Sequence, residues 1–335
     1  MQALTRHAFE FPVDAVFLWV DGSDTAWRQA KERARASLFG EAAPPVDADN
    51  TALFTDNDEL RFALRALAAY APWIRTVHLL TDRQKPSWLN TDAVHLVSHE
   101  EVFPPESVLP VFNSQAIEFC MYRIPGLAEH FLAFNDDFML GRPITPEDFF
   151  LPDGSLRLWL AKRSKRYMHR LYARAGGKDA HASAVARSHL LVEARYGTRH
   201  PYVVRHHPKA MTRSAVESLW REFPEEIAAT VRSQFRSTNE VLLSMLLPLH
   251  LLAEGHRAIR IVNGLRSALD VVTGGIAYMG ASLGDGNMEQ KMWGIRRFRP
   301  KTFCLNDACV ATAKDRAAAR AFLESLFPTP SVFER

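Results

Sequence analysis

Over the first 140 residues, short apolar runs alternate with longer segments whose apolar residues recur at helical spacing. The apolar runs end in polar residues and predict buried strands at 15–20, 76–80, 94–97 and 130–135. The helical segments follow capping residues or show an amphipathic repeat, and they predict helices at 25–39, 58–70 and 113–122. Strands that alternate with helices in this way predict an α/β fold with a mainly parallel sheet.

The pattern changes after residue 156, where the chain becomes rich in Arg, Lys and His up to residue 213. Gly176 and Gly177 mark a break in this basic segment. Farther along, the pattern predicts a strand at 303–307 and helices at 214–231 (interrupted at Phe223-Pro224), 237–253 and 313–326. We expect one unit over 1–335, with an α/β core at 1–156, a basic, helical insertion at 157–264 and a return to the core at 265–335.

Composition and charge narrow the class of protein. Hydrophobic residues make up 47% of the chain and charged residues 24%, as in an ordinary globular protein, and the net charge of +3 is too small to indicate nucleic acid binding. The longest apolar run, 241–253, is shorter than the ~18 residues of a membrane span. The first 14 residues lack the apolar core of a signal peptide, and the three cysteines form no disulfide or metal pattern. We expect a cytoplasmic protein that is soluble or at most peripheral to a membrane.

Two adjacent carboxylates at the end of a predicted strand are the most informative chemical feature. The apolar run from His130 leads into Asn135, Asp136 and Asp137, and a second apolar run follows. Adjacent carboxylates repel each other and lose hydration when buried, so their position requires a compensating charge. A bound Mg²⁺ or Mn²⁺ that carries a nucleotide diphosphate would supply that charge. The alternative is a solvated turn in which Asp137 caps a helix.

Other predicted strands also end in polar residues. These are the clusters Asp21-Gly22-Ser23-Asp24, Thr81-Asp82 and Asn306-Asp307. The carboxyl ends of parallel strands lie along one edge of a sheet, so the clusters are expected to converge on one crevice. Each cluster alone is a weak signal, because Asp-Gly and Asn-Asp are common in turns. The helix start after residues 21–23 also offers free N–H groups to a phosphate.

Arginine and histidine residues add candidate groups for phosphate binding and proton transfer. Arg61 and Arg65 lie on one face of a predicted helix, where they either bind a ligand or interact with Glu59 or solvent, and Glu118 could orient one of them. Arg236 suits bidentate binding of phosphoryl oxygens. His206, in the sequence His-His-Pro, could act as a general base, although a single histidine is more often structural.

Two further charged features have both a structural and a functional interpretation. Asp14 opens the first strand and is either a structural charge or part of the site. The basic run from Lys162 to Arg174 is usually a solvated face, but it could also guide an anionic substrate or contact anionic lipid headgroups. The sequence leaves both alternatives open.

Together these motifs resemble the four conserved regions of the Stealth family. That family contains bacterial capsule and exopolysaccharide hexose-1-phosphate transferases and the GlcNAc-1-phosphotransferase that tags lysosomal enzymes. The motifs stand in the family's order and cover nearly the whole chain except about 157–200. They are 14–24 (DAVFLWVDGSD) in the first region; 58–65 (DELRFALR), 71–73, 86–90, 109–114, 117–118 and 135–137 (NDD) in the second; 206–208 (HHP), 223–226 (FPEE) and 235–237 (FRS) in the third; and 304–307 (CLND) with 326–331 (LFPTPS) in the fourth.

The resemblance implies transfer of a sugar-1-phosphate, such as that of UDP-GlcNAc, from a UDP-sugar to a sugar hydroxyl, with release of UMP. It implies a Rossmann-like core similar to the GT-A-like nucleotide-sugar transferases, with Mg²⁺ or Mn²⁺ held by Asp136 and Asp137. His206 would be the base, Arg236 would stabilise charge, and Asp137 would be catalytic. The residues implied for the nucleotide-sugar pocket are Asp14, Trp19, Asp21, Gly22, Ser23, Asp24, Arg61, Thr81, Asp82, Asn113, Ser114, Glu118, Asn135 and Asp307.

Two other functions fit the same residues. A metal-dependent glycosyltransferase would use the same carboxylates, attack the anomeric carbon and release UDP. A non-catalytic nucleotide-sugar-binding module would need no base. The expected partners are a UDP-sugar donor and a carbohydrate acceptor in capsule or exopolysaccharide synthesis, without nucleic acid; the sugar, the linkage and the oligomeric state do not follow from the sequence.

Overall fold

The computed structural model of the chain describes residues 11–40, 50–262 and 276–335. Its strands, in chain order, are β1 (Val13–Leu18), β2 (Val77–Thr81), β3 (His95–Ser98), β4 (His130–Asn135), β5 (Phe138–Leu140), β6 (Leu158–Lys162), β7 (Tyr202–Val203), β8 (Lys209–Thr212), β9 (Ile259–Ile261), β10 (Tyr278–Ser282) and β11 (Thr302–Asn306). Its α-helices are α1 (Thr25–Phe39), α2 (Glu59–Tyr70), α3 (His99–Val102), α4 (Ser114–Cys120), α5 (Lys165–Tyr172), α6 (Ala180–Tyr196), α7 (Arg213–Glu222), α8 (Pro224–Val231), α9 (Leu243–Ala253), α10 (Met288–Phe298) and α11 (Ala313–Leu326).

The central sheet has five strands in the order β3-β2-β1-β4-β8. The first four are parallel, and β8 runs antiparallel to β4 at one edge. Parallel sheets are covered on both faces, which explains why β1 and β2 are runs of buried residues. The carboxyl ends are in register, because Leu18 pairs with both Leu80 and Asn135, and Thr81 pairs with Ser98. The predicted α/β fold with a mainly parallel sheet is confirmed.

Helices α1 and α2 contact the core in different ways. In α2, Leu60 and Leu64 lie on one face and are buried, as their spacing predicts. In α1, Trp27 is buried and packs against Phe54 and Phe112. Helix α1 is thus attached through an aromatic cluster rather than through a long apolar stripe.

The segment 157–213, for which the sequence predicted no elements, contains β6, α5, α6, β7 and β8. Strand β8 completes the edge of the central sheet, so the predicted insertion contributes to that sheet as well as adding helices. The break at Phe223-Pro224 is confirmed, because α7 ends and α8 begins there. Strands β6, β7 and β9 form a small separate sheet.

The helix predicted from residue 237 begins at Leu243 instead. The N–H of Val241 donates to Thr230 Oγ1 (3.2 Å), and the N–H of Leu242 donates to Ser188 Oγ (3.0 Å). These hydroxyls belong to α8 and α6, so other helices hold the residues before Leu243 outside the helix. Periodicity along the sequence does not contain this information.

The C-terminal part of the chain packs next to β5, the strand that follows the two adjacent carboxylates. Strand β11 pairs antiparallel with β5 and parallel with β10, in agreement with the strand predicted at 303–307. Helix α11 has the predicted bounds. Within the described residues, no helix combines the length and the apolar character needed to cross a bilayer.

Candidate functional site

A cavity of about 430 Å³ lies at the carboxyl edge of the central sheet. The residues that follow β1 and β4 form one side of it, and α4 and α6 contribute Glu118 and His181. The segment before β8 contributes His206, and the segment after α8 contributes Arg236. The fold thus brings groups from distant parts of the chain to one cavity, as expected for ligand sites in parallel α/β sheets.

Asp136 and Asp137 form the acidic part of the cavity. They occupy the turn between β4 and β5, and Phe138 at the start of β5 is buried. The alternative in which Asp137 caps a helix is wrong, because a buried strand follows it. Cys304 donates its S–H to Asp137 Oδ2 (3.0 Å), whereas Asp137 Oδ1 is buried without a hydrogen-bond partner among the described residues.

Burial disfavours ionisation of both carboxyl groups, and like charge adds to this effect at Asp136. Loss of hydration and the charges of Asp137, Glu59 and Asp56 raise the pKa of Asp136 well above its ordinary value. Burial also raises the pKa of Asp137 to about 6, against the opposing effects of Cys304 and Lys209. Ionisation of both groups therefore requires a compensating positive charge in this part of the cavity.

The residues present fit a divalent cation that is bound together with a phosphorylated substrate. Mg²⁺ prefers oxygen ligands and is commonly held by one or two carboxylates plus phosphate oxygens and water. The unpaired Oδ1 of Asp137 is a free oxygen ligand of this kind. No three His, Cys, Asp or Glu side chains in the described parts of the chain are grouped as a complete metal site. Metal binding by Asp136 and Asp137 stays a prediction, and the substrate would have to supply further ligands to the cation.

His206 is the member of the histidine pair that faces the cavity. Its ring is accessible to solvent there and lies 6.3 Å from the ring of Phe138 and 6.0 Å from that of His181, centroid to centroid. Surrounding protein atoms remove hydration, and Lys209, His181 and Arg205 add positive charge, which together lower the pKa of His206 to about 4. The imidazole is therefore neutral at neutral pH and can accept a proton.

Lys209 is a site residue that the sequence analysis missed. It lies in the cavity with its Nζ 4.6 Å from the centre of the Phe138 ring. Loss of hydration lowers its pKa, while Glu118 and Asp137 act in the opposite direction. Lys209 directly follows the His-His-Pro motif, so its position beside His206 was a usable signal.

Arg236 lies in the cavity beside helix α4. Its Nη2 donates to Ser114 Oγ (2.7 Å). Glu118, one turn later on α4, also lines the cavity, and burial raises its pKa against the effects of Lys209 and Arg236. Cationic groups thus line the same cavity as the two aspartates, in an arrangement suited to an anionic ligand.

Nine of the sequence-predicted site residues line this cavity. They are Trp19, Ser114, Glu118, Asn135, Asp136, Asp137, His206, Arg236 and Asp307. Asp307 is already engaged, because Arg316 donates to both of its carboxylate oxygens (2.8 and 3.2 Å). The other predicted pocket residues lie outside the lining, and they are Asp14, Asp21, Gly22, Ser23, Asp24, Arg61, Thr81, Asp82 and Asn113.

Asp14 has the contacts of a structural charge. It lies at the amino end of β1, away from the cavity, and is fully buried. It accepts hydrogen bonds from the Arg75 guanidinium (2.8 and 2.6 Å) and the Ala128 N–H (2.7 Å), and it lies 3.2 Å from His78 Nε2. Burial opposes ionisation, but these bonds outweigh it and lower the pKa of Asp14 to about 2. The prediction of a pocket role for Asp14 is therefore corrected to a structural one.

Arg61 and Asn113 also have structural partners. Arg61 lies 3.6 Å from the Glu334 carboxylate and stacks on the Trp88 ring, so it forms a salt bridge, but to Glu334 and not to the expected Glu59. Asn113 caps α4 and donates to Glu240 Oε1 (3.0 Å). Asn113 thereby connects α4 to the segment that carries Arg236. It contributes to the site by positioning these two parts of the chain.

The turn after β1 supports the cavity wall rather than lining it. The Asp21 carboxylate accepts from the N–H and the hydroxyl of Ser23, and Asp24 caps α1. The Gly22 N–H donates to the Phe54 carbonyl (2.9 Å), and a Cβ at Gly22 would lie 2.1 Å from that oxygen. Only glycine permits this approach, which fixes Phe54 as part of the wall.

Thr81 and Asp82 follow the end of β2. Thr81 is buried, and its hydroxyl has no partner among the described residues. Burial raises the pKa of Asp82, against the effect of Arg83. Neither side chain lines the cavity, although Leu80 directly before them does.

Further cavity residues were absent from the sequence prediction. Among them are Glu59, His99, Gln115, His181 and Arg205. Glu59 lies within the motif at 58–65 and Gln115 directly follows the motif at 109–114, so both positions were available as signals in the sequence. His181 comes from the basic segment, where no motif anchors the chain, and only the tertiary structure places it in the site.

The fold and cavity define an α/β protein with a polar ligand site at the carboxyl edge of a parallel sheet. The chain also matches four conserved regions of one family, in order along the sequence. They are the Stealth protein conserved regions 1 (residues 11–38), 2 (53–158), 3 (205–251) and 4 (293–335). The chain belongs to the Stealth family.

Several curated relatives are similar over most of the chain. An exopolysaccharide phosphotransferase of Streptomyces coelicolor is 34% identical over 97% of this chain and 57% of its own length. The exopolysaccharide phosphotransferase CpsY of Mycobacterium tuberculosis is 34% identical over 97% of this chain and 58% of its own length. The capsular polysaccharide phosphotransferase LcbA of Aeromonas hydrophila is 33% identical over 70% of this chain and 64% of its own length. The chain thus spans between about half and two thirds of these relatives.

Among solved structures, the chain is similar to the galactosyltransferase LgtC in complex with donor and acceptor sugar analogues. The identity is 11%, the TM-score is 0.42, and the match covers 95% of this chain and 96% of LgtC.

Proposed function

We propose that this protein transfers a sugar-1-phosphate from a UDP-sugar to a hydroxyl of a carbohydrate acceptor, in the synthesis of a capsular or exocellular polysaccharide. The observation that carries the proposal is that a neutral imidazole, two cationic groups and an adjacent carboxylate pair face one cavity. Phosphoryl transfer depends mainly on positioning and electrostatic stabilisation, and these are the groups it requires. The names of the curated relatives support the same reaction class.

In the proposed reaction, the acceptor oxygen attacks the sugar-linked β-phosphorus. His206 takes the proton of the acceptor hydroxyl, a phosphorus–oxygen bond forms, and the bond from the β-phosphorus to the bridging oxygen breaks. UMP leaves with that oxygen, and the product is a phosphodiester. Arg236 and Lys209 balance the negative charge that spreads over the phosphoryl oxygens.

Asp136 and Asp137 would hold Mg²⁺ or Mn²⁺ in this scheme. When bound, the cation neutralises charge on the diphosphate. The Cys304 S–H fixes Oδ2 of Asp137, which leaves Oδ1 directed to a ligand. Removal of divalent cations with EDTA is expected to abolish turnover, and added Mg²⁺ or Mn²⁺ to restore it.

The acceptor is proposed to approach along α5 and α6. His181 of α6 lines the cavity, and α5 carries the exposed cations Lys165, Arg166 and Arg170. An anionic acceptor would balance the positive charge of this face. A cytoplasmic location, with peripheral contact to a membrane through the same face, stays a prediction.

The released nucleotide tests the proposed reaction. Purified protein is incubated with Mg²⁺, a set of UDP-sugars and a set of oligosaccharide acceptors, and the products are analysed by mass spectrometry. UMP together with a phosphodiester product is the expected result. UDP with a glycosidic product would instead identify a glycosyltransferase, and tight UDP-sugar binding with no product for any acceptor would favour a binding module.

A further inference from the structure

Arg236 lies in the segment between α8 and α9, which forms neither helix nor strand. Its guanidinium donates to Ser114 Oγ on α4 (2.7 Å), and both residues line the cavity. Fixing a side chain as long as that of arginine costs up to about 2 kcal/mol of conformational entropy. The position of this guanidinium therefore depends on contacts that fix the backbone on both sides of it.

On the amino-terminal side of Arg236, the segment is attached to the residues that precede α4. The Phe112 N–H donates to the Gln234 carbonyl (2.8 Å), and the Gln234 amide donates to the Pro110 carbonyl (2.8 Å). The rings of Phe112 and Phe235 stack, with centroids 5.1 Å apart. The residues directly before Arg236 are thus held against the start of α4.

On the carboxyl-terminal side of Arg236, a buried carboxylate makes the connection. Glu240 is 1% exposed, and its Oε1 accepts from the Ser237 N–H (2.7 Å) and from Asn113 Nδ2 (3.0 Å). The same amide nitrogen of Asn113 donates to the Ser233 carbonyl (3.1 Å). One carboxylate oxygen therefore connects the residue that follows Arg236 to the N-cap residue of α4.

The burial of Glu240 is unfavourable by itself. Burial raises the pKa of Glu240 to about 7, against its hydrogen bonds from Asn113 and Ser237 and the positive charge of Arg236. Its Oε2 is buried and has no hydrogen-bond partner among the described residues. An unsatisfied buried polar group costs about 1–3 kcal/mol, and such local costs are expected near functional sites.

We propose that Glu240 is a positioning residue that holds Arg236 where its guanidinium binds the phosphoryl group. Glu240 does not line the cavity, so it acts through the Ser237 backbone and through Asn113. The inference rests on the proposed function, which assigns Arg236 to the phosphoryl oxygens. It adds a residue outside the cavity to the groups on which phosphate binding depends.

A double-mutant cycle tests this role, because it separates an effect that passes through Arg236 from a general effect on the fold. Affinity for UDP in the presence of Mg²⁺ is measured by isothermal titration calorimetry in the wild type, Glu240→Met, Arg236→Ala and the double variant. Methionine is similar in length to glutamate but does not replace the carboxylate as an acceptor. Glu240→Met is expected to lose about tenfold in UDP affinity and Arg236→Ala about 10- to 100-fold. The double variant is expected to bind UDP within about threefold of Arg236→Ala.

Two milder substitutions keep the test decisive if Glu240→Met does not fold. Glu240→Gln retains an oxygen that accepts from the Ser237 N–H, so its UDP affinity is expected within about threefold of the wild type. Glu240→Asp keeps the charge but is one methylene shorter, so it cannot reach both Ser237 and Asn113 and is expected to lose about 3- to 10-fold. A role that depended on charge alone would give the reverse order of the two variants.

Glu334→Met is the matched control. The Glu334 side chain is also largely buried and accepts hydrogen bonds from Arg65 and the Ser331 N–H, but it does not line the cavity. This control is expected to lower the melting temperature and to keep UDP affinity within about twofold of the wild type. It shows whether loss of a buried carboxylate weakens UDP binding in general.

The outcomes separate this inference from the proposed reaction. Unchanged UDP affinity in Glu240→Met, or the same loss with and without the Arg236 side chain, would overturn the positioning role, even in a protein that releases UMP. Coupling between the two residues in a protein that releases UDP from a UDP-sugar, or that releases no nucleotide, would support the positioning role and contradict the proposed reaction. A wild type that does not bind UDP would overturn both.

Discussion

His206 and His207 are adjacent in the sequence but have different surroundings. The ring of His206 is open to the cavity, whereas His207 is buried and its Nδ1 lies 2.7 Å from the Pro208 carbonyl. Both have their pKa lowered to about 4, mainly by loss of hydration. Residue type alone therefore does not distinguish the candidate base from the structural histidine. Access to the cavity distinguishes them.

Substitution of His206 tests its proposed role. His206→Gln should lower kcat/KM by about 100- to 10,000-fold, because glutamine is not a base and cannot take the proton of the acceptor hydroxyl. The melting temperature should stay within 2 °C or so of the wild type, because the ring is solvent-accessible. His169→Gln, an exposed histidine on α5, is the control and should keep wild-type kinetics. Activity close to that of the wild type in His206→Gln would remove His206 from the mechanism.

Removing one charge of the pair at residues 136 and 137 should have opposite effects on the stability of the ligand-free protein and on ligand binding. Ionised Asp136 faces the charges of Asp137, Glu59 and Asp56, so Asp136→Asn should stabilise the ligand-free protein by about 1 kcal/mol at pH 8. The same substitution should abolish the rise in melting temperature caused by Mg²⁺ with UDP. Thermal unfolding with and without these ligands measures both effects. A less stable ligand-free variant would contradict the repulsion inferred from the structure.

Among the elements, those with a repeat inside their own sequence were predicted well. Helices α1 and α11 have the predicted bounds, because capping residues and helical periodicity are local signals. Strands β6 to β9 are short and depend on partners far along the chain, for example β6 on β9. Their pairing partners are absent from the local pattern, which is why the sequence did not predict them.

The packing of α6 against α5 should make stability depend on pH through His189. This residue is 4% exposed, lies 5.7 Å from Tyr172 between ring centroids, and has its pKa lowered to about 4, mainly by burial. The unfolded chain takes up a proton at His189 as pH falls below about 6.5, whereas the folded chain does not until about pH 4. Stability is therefore lost through this window as pH falls, by about 2 kcal/mol at pH 5.

Urea unfolding at pH 7.5 and pH 5 of the wild type and His189→Phe measures this effect. The stability difference between the two proteins should shift in favour of the variant at pH 5. His169→Gln again serves as the control, because an exposed histidine should not change the pH dependence. An identical pH dependence of wild type and His189→Phe would exclude His189 as the source.

Across the whole molecule, the C-terminal residues are attached to the second helix. Arg65 donates to both carboxylate oxygens of Glu334 (2.8 and 2.6 Å) and to the Phe327 carbonyl (2.8 Å). The Glu334 side chain is 7% exposed and also accepts from the Ser331 N–H (2.9 Å). This cluster joins the first and last parts of the chain on the side of α2.

Glu334→Gln should lower the free energy of unfolding by about 1–3 kcal/mol, because it leaves the largely buried Arg65 without its ionic partner. The effect on kcat/KM should be small, since neither residue lines the cavity. Glu324→Gln is the control: Glu324 pairs with Arg320 at an exposed position, where an ion pair contributes about 0–1 kcal/mol. Equal losses of unfolding free energy in the two variants would show that the Glu334 cluster stabilises the protein no more than an exposed ion pair does.

Several features follow from the sequence alone: the alternation of strands and helices, the family, the acidic pair after β4 and the candidate base and arginine. These features are local or belong to motifs, so they can be read without coordinates. Coordinates were needed to show that the buried Asp14 carboxylate pairs with Arg75 away from the site and that Lys209, His99 and Gln115 line the cavity. Those assignments depend on which strands are neighbours and on which side chains remain unpaired after burial, and both are set by contacts between residues far apart in the chain.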